Sequence, residues 1–307
     1  MLPVTSGVAQ VGNLEIAYDT RGDGGSGERE PLLLIAGFGM PRAMWSEAFS
    51  DVLAARGFLV VRMDNRDMGL STRLASLGMP PAQKMLMRSF LGLPVSSPYR
   101  LEDMASDAVG LMKSLGHTRF HVAGASMGGM IAQTLALDHG DKLVSMTSIM
   151  SSPGGRRYSM AKPSAFKAIL TPLPKDPPAQ VERYVEVLRI IAGTALPYNE
   201  EAGRKLAETL VAAKPSTSGS ARQLTAILES SGRRRARLPS IRTPTLVIHG
   251  SHDPLLPVRG SRAMAKLIPG AELLIVEGMG HHFPEQRYDV LADAIQRMAK
   301  RGSGGKS

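Results

Sequence analysis

The residues predict an α/β fold, with a mostly parallel central sheet, helices on both faces and an inserted helical segment. Three observations carry this. Short β-rich apolar runs alternate with helical patterns. A Gly-x-Ser-x-Gly turn, Gly124-Ala-Ser-Met-Gly128, sits between one such run and one such helix. The segment 152–242 carries helical stripes but no buried strand.

In chain order, Leu32 to Phe38 is a continuous apolar run, as in a buried strand, and Met44 to Ala55 follows with apolar residues near helical spacing until Gly57 stops it. Phe58 to Met63 is the next strand and runs into the turn-rich Asp64-Asn-Arg-Asp-Met-Gly69. Thr72 to Ser97 is a long insertion carrying Met79, Met85, Met87 and Phe90. Helices are predicted over 101–115 and 127–137, and strands over 120–125 and 143–150. From Ser152 to Arg242, nine prolines, with Pro244 just beyond, punctuate two helical stripes. One is Val181, Tyr184, Val185, Leu188, Ile191 and Ala192; the other is Leu206, Leu210 and Val211. The alternation then resumes with strands over 245–249 and 271–276 and helices over 261–267 and 290–298. The domain reading is therefore a core of 1–151 and 243–307, the latter ending in a flexible C-terminal tail from Gly302, with 152–242 inserted as a helical cap.

Composition narrows the classes. With 307 residues and 43% apolar content, one large core needs no staple. The absence of cysteine removes thiolate nucleophiles and thiolate zinc sites. The apolar run from Leu32 to Met40 is nine residues, far short of the roughly 20 that cross a bilayer. No basic-then-apolar leader opens the chain, so a cytoplasmic location is expected. The net charge of +10 is concentrated: 152–242 holds 16 Lys/Arg against 7 Asp/Glu. Its densest part, Arg233, Arg234, Arg235 and Arg237, has no interleaved aromatics and no nucleic-acid-binding spacing beside it. It is expected to be a solvated face, with steering of anionic substrates as the alternative; no nucleic-acid partner is expected.

Ser126 is the candidate nucleophile. A serine on a tight strand-to-helix turn exposes its hydroxyl only if small residues stand two before and two after it. A hydroxyl is a poor nucleophile at neutral pH, so it needs a base, and the base needs an orienting carboxylate. On the loops of such a sheet the order is serine, acid, histidine. Only His281 and His282 follow the last strand. His281, after the glycine turn of Gly278-Met-Gly280, is the candidate base, with His282 the alternative. From Lys142 to Lys175 there is no acidic residue, so the acid falls after the strand ending at His249. That is Asp253, although an aspartate before proline is also a common turn former. The oxyanion donors are expected to be the backbone N–H groups of Met127, the residue after the nucleophile, and of Phe38 in the glycine-rich early loop, with Gly39 open as the alternative. Asp64, Arg66, Asp67, Gly69 and Ser71 read as a structural turn. Trp45, Met130 and the 79–90 insertion read as packing or as an apolar acyl pocket.

These residues resemble the α/β-hydrolase superfamily, and within it the aclacinomycin methylesterase-like carboxylesterases. The resemblance rests on Asp64-Asn-Arg-Asp-Met-Gly-Leu-Ser71, Gly124-Ala-Ser-Met-Gly-Gly129, Thr243-Pro-Thr-Leu-Val-Ile248 with His252-Asp253-Pro254, and Gly278-Met-Gly-His281. It covers most of the chain and implies an α/β-hydrolase fold with a cap and a cofactor-free, metal-free serine esterase. Such an enzyme takes a small-molecule ester, and the apolar stripes of the cap lead us to expect short to medium neutral or methyl esters. The early loop reads Ala36-Gly37 where relatives often carry His-Gly. Dehalogenases and epoxide hydrolases on the same scaffold need an aspartate at position 126. A peptidase acting on an N-terminal proline would use the same triad but needs cap carboxylates for the substrate amine, whereas this cap is basic. A ligand receptor on the same fold is the reading from another class.

Overall fold

The structure is a computed structural model that describes residues 4–22 and 29–304. Eight strands form one sheet in the order β1-β2-β4-β3-β5-β6-β7-β8. They are β1 (Val4–Val11), β2 (Leu14–Arg21), β3 (Glu30–Ile35), β4 (Phe58–Met63), β5 (Phe120–Ala125), β6 (Leu143–Ile149), β7 (Thr245–Gly250) and β8 (Glu272–Val276). From β4 to β8 all neighbours are parallel, whereas β1 and β2 pair antiparallel at one edge. The edge hairpin escapes the sequence reading because its strands have no buried apolar run. β1 is largely solvent-facing, and the buried end of β2 is Asp19, Thr20 and Arg21. Polar residues that ion pairs bury look like surface in a hydropathy pattern.

Five helices flank the sheet: α1 (Glu47–Ala55), α3 (Leu101–Ser114), α4 (Met127–Asp138), α9 (Arg259–Leu267) and α10 (Tyr288–Gly302). α1 and α10 cover one face through Phe49, Leu53, Leu291 and Ile295, with Trp45 just before α1; α3 and α4 cover the other through Leu101, Met104, Leu111, Ile131 and Leu135. β5 is buried along its whole length, as expected of a central parallel strand covered on both sides. The insertion before α3 contributes α2 (Ala82–Phe90). The apolar run expected as a strand to Phe38 leaves the sheet at Ile35, and residues 36–41 form a loop.

Residues 152–242 fold as α5 (Pro163–Leu170), α6 (Pro177–Ala192), α7 (Glu200–Ala212) and α8 (Thr217–Arg237). The two stripes fall on α6 and α7, where Val185, Leu188, Ile191 and Ala207 make a separate small core. The solvated-face expectation fails at Arg234, which is buried and donates to Gln133, Ser230 and the Ser152 carbonyl. Burial without a contacting carboxylate pushes its pKa down to about 10. Its neighbours are also engaged: Arg233 pairs with Glu229 and Glu102, Arg237 pairs with Asp138, and Arg235 lies over the Tyr158 ring. At the C-terminus α10 runs through Gly302, where the tail is expected to begin, and residues 303 and 304 form a turn; residues 305–307 lie outside the described residues.

Candidate active site

Parallel strands open their carboxyl ends along one edge, and the loops there collect the candidate residues. Ser126 follows β5, Asp253 follows β7 and His281 follows β8; residues 36–41 follow β3. Backbone hydrogen bonds join these loops in turn: Ser126 N–H to Ile149 O, Met150 N–H to Ile248 O, Ser251 N–H to Val276 O and His252 N–H to Met279 O.

Ser126 stands at φ 55°, ψ −116°, a conformation that costs a non-glycine residue about 1–3 kcal/mol. The flanking glycines explain how the turn closes. A Cβ on Gly124 would collide with the Gly128 carbonyl, and one on Gly128 with the Ile35 carbonyl. A Cβ on Gly37 would come within 3.3 Å of Ser126 Cβ, which places the early loop against the serine. The Ser126 carbonyl accepts from Ser151 Oγ at 2.7 Å and from Met130 N–H at 3.2 Å. Its own hydroxyl is left without a hydrogen bond among the described residues, as is His281 Nε2. Bonds of this kind tighten when substrate binds.

Asp253 and His281 are both nearly buried, and His281 Nδ1 lies 2.7 Å from Asp253 Oδ2. The other carboxylate oxygen accepts Leu255 N–H and Leu256 N–H, each at 2.8 Å. Burial alone would raise the pKa of this group. The attraction of His281, the hydrogen bonds from His249 and His281, and the charge of His249 outweigh it and hold the carboxyl well below the usual range. An ionised Asp253 can only accept, so His281 Nδ1 carries the proton and Nε2 is free to receive one. The His281 backbone N–H donates to Ile191 O at 2.7 Å, at the end of α6. His282 is directed elsewhere: its ring meets Tyr198 edge-on, its Nδ1 has no partner among the described residues, and it makes no bond to Asp253.

The early loop presents two candidate N–H donors, and the structure separates them. Gly39 N–H donates to Gln223 Oε1 on α8 at 3.0 Å. Phe38 N–H and Met127 N–H have no acceptor among the described residues. The Asp64 turn braces this loop from beneath. Asp64, fully buried, pairs with the Arg42 guanidinium and accepts Arg42 N–H at 2.7 Å, while Asn65 donates to Ala36 O at 3.2 Å.

Three residues that the sequence did not single out for the site meet it here. His249, fully buried on β7, has Nε2 2.9 Å from Leu256 O and 3.3 Å from Asp253 Oδ2. Both oxygens are acceptors only, so that nitrogen carries the proton, and Nδ1 faces Ser261 Oγ at 2.7 Å. Met40 and Leu255 pack against the α6 core of the insertion. The placement of His249 four residues before Asp253 was a visible signal. Conversely, Trp45 is core, in an aromatic cluster with Phe49 and Phe283, and Met79, Met87 and Phe90 are exposed, with Arg156 3.7 Å over the Phe90 ring. Among the described residues no group of three or more His, Asp or Glu could hold a metal, and no helix is long and apolar enough to cross a membrane.

Comparison with known proteins agrees with this architecture. The chain is 30% identical over 284 residues to rhodomycin D methylesterase DauP of Streptomyces sp. (strain C5), covering 86% of this chain and 89% of that one. It is 28% identical over 270 residues to the putative carbamate hydrolase RutD of Caulobacter segnis, covering 87% and 90%. Among solved structures, the esterase EaEST from Exiguobacterium antarcticum superposes with a TM-score of 0.73 at 21% identity, over 96% of this chain and all of that one. The alpha/beta hydrolase fold family matches residues 30–288, and the chain belongs to that family.

Proposed function

We propose that the protein is a serine hydrolase that cleaves carboxylic esters through an acyl-enzyme, with short to medium neutral or methyl esters as substrates. The observation that carries this is the serine itself, held at positive φ between two glycines that cannot bear a Cβ. A backbone strain of that size persists only where the surrounding structure over-determines it, and such strain clusters at functional sites. The His281–Asp253 pair on the same sheet edge supports the reading, and so does the similarity to a methylesterase.

In the proposed reaction Ser126 Oγ attacks the ester carbonyl carbon while its proton passes to His281 Nε2. Asp253 orients the imidazole and stabilises its charged form. The carbonyl oxygen takes up negative charge facing Phe38 N–H and Met127 N–H. The carbon–oxygen bond to the alcohol breaks, and the alcohol leaves with the proton from His281. Water then gives a proton to His281 and attacks the acyl carbon. The bond to Ser126 breaks, Oγ recovers its proton and the acid departs. All steps use the chain's own groups and water, with no cofactor.

We propose further that 152–242 acts as a cap over a core of 1–151 and 243–307. The packing of Val185, Leu188 and Ile191 against Met40 and Leu255 supports an apolar roof beside the oxyanion loop and the acid loop. An apolar roof suits neutral acyl chains.

The test is turnover of p-nitrophenyl esters of graded acyl length, beside an amide and a lactone. Ser126→Ala, His281→Ala and Asp253→Asn should each lower kcat by about 10⁴- to 10⁶-fold with the fold intact by circular dichroism. A fluorophosphonate should label Ser126 alone. Near-normal turnover in His281→Ala with loss in His282→Ala, or labelling that persists in Ser126→Ala, would overturn the assignment.

A further inference from the structure

The geometry points to Gln223, on helix α8 of the insertion, as a positioning residue that sets the oxyanion loop for catalysis. This rests on the reading above, in which Phe38 N–H is one of the two oxyanion donors.

Three parts of the early loop are fixed by different means. Its start is tied by Asn65 to Ala36 O, and its end by Arg42 N–H to Asp64. The apex, Phe38-Gly39, stands clear of both. Gly39 has φ 66°, and a Cβ built there would meet nothing within 4 Å; Met40 N–H to Gly37 O at 3.2 Å closes the turn and the half-buried Phe38 side chain packs against the core, but neither contact engages the Gly39 N–H. A glycine in open space rotates freely unless a hydrogen bond stops it. Here the restraint is the 3.0 Å bond from Gly39 N–H to Gln223 Oε1. If that bond is lost, the torsions on either side of the Phe38–Gly39 peptide are released, and the preceding Gly37–Phe38 peptide, which carries Phe38 N–H, is held less firmly through the shared Phe38 Cα.

Gln223 is itself immobilised. It is fully buried, and its Nε2 donates to Arg66 O at 3.1 Å, so its amide bridges the oxyanion loop and the Asp64 turn. An amide can accept and donate at once; a hydrocarbon or an ammonium group cannot. The neighbouring Arg222 makes two bonds to Asp67, at 2.8 and 2.7 Å, with both side chains buried. Twelve residues on, Arg234 and then Arg237 tie the same helix to α4 through Gln133 and Asp138. α8 is thereby fixed to the core at both ends. It is the one helix of the insertion whose side chain reaches the apex among the described residues. The consequence differs from that of a simple lid: part of the segment expected to select substrate also holds a donor for the reaction common to all substrates.

The test compares Gln223→Met, which keeps size but removes both bonds, with Gln223→Glu, which keeps an acceptor for Gly39. Steady-state turnover of p-nitrophenyl butyrate and inhibition by an aliphatic trifluoromethyl ketone are measured together. The ketone adds to the serine, and its oxyanion occupies the same position as that of the reaction. Gln223→Met should lower kcat about 10- to 100-fold with KM within about threefold, and weaken the ketone by a similar factor. Gln223→Glu should stay within about fivefold of wild type on both readouts. Should Gln223→Met not fold, Gln223→Asn, whose amide is one methylene too short for Gly39, replaces it with the same expectation. Unchanged kcat and ketone affinity, or equal loss in the Met and Glu variants, would overturn the inference. Ser126→Ala that still hydrolyses the ester would instead sink the underlying reading of the site.

Discussion

Asp253 accepts three hydrogen bonds and a longer contact from His249, and this saturation keeps a nearly buried carboxylate charged. Its neighbour His282 shows the opposite balance. Burial and the charge of His281 push its pKa down to about 4 despite the attraction of Asp253. A histidine in an unfolded chain titrates near 6.5. Between those values the unfolded state binds a proton that the folded state refuses, so stability falls as pH is lowered through that window. The single group accounts for about 3 kcal/mol at most. The Asp253 contribution is retained above its unfolded value of about 3.9 and is lost only at lower pH, as its depressed folded pKa is approached. Urea denaturation at pH 7, 5.5 and 4.5 should therefore show a progressive loss in the wild type, and His282→Asn should flatten it. An unchanged slope in the variant would mean that other groups carry the acid sensitivity.

At the scale of elements, the insertion is bound to the core by two unlike contacts. α6 and α7 meet it through apolar side chains and a backbone bond from His281 to Ile191, whereas α8 uses buried charge. Removing one partner of a buried ion pair leaves the other desolvated and uncompensated, at a cost of about 3–5 kcal/mol. Arg222→Met should destabilise the protein by that amount in urea unfolding. Adding Asp67→Asn should recover part of the loss, since the stranded charge is then gone. Additive losses in the double variant would show that the two side chains are not energetically coupled.

At the scale of the whole molecule, the net charge of +10 suggests a field that draws in anions, but in the densest arginine cluster Arg234 is buried and the exposed Arg233 and Arg237 are paired with carboxylates. Charges paired or buried in this way contribute little to long-range steering. Raising salt from about 0.05 to about 0.5 M should leave kcat/KM unchanged for a neutral p-nitrophenyl ester and change it less than about twofold for a hemisuccinate. A steep fall confined to the hemisuccinate would restore the steering alternative.

The sequence by itself determined what neighbouring residues can encode. The alternation of runs located β3 to β8 to within a few residues. Gly124 and Gly128 marked the strained turn because their lack of a Cβ is a local requirement, visible in five residues. The order of serine, acid and histidine pointed to Asp253 and His281 because loops at one end of a parallel sheet are filled in chain order. Tertiary structure alone decided the rest. The β1–β2 hairpin buries polar side chains through ion pairs with partners far along the chain. Arg234 is interior because Gln133 and Ser152 receive it, which no charge count conveys. The choice of Phe38 over Gly39 as a free donor depends on Gln223, 184 positions away. A hydrogen bond between residues that distant leaves no periodicity in the chain: its two ends are ordinary amides until the fold brings them within 3.0 Å.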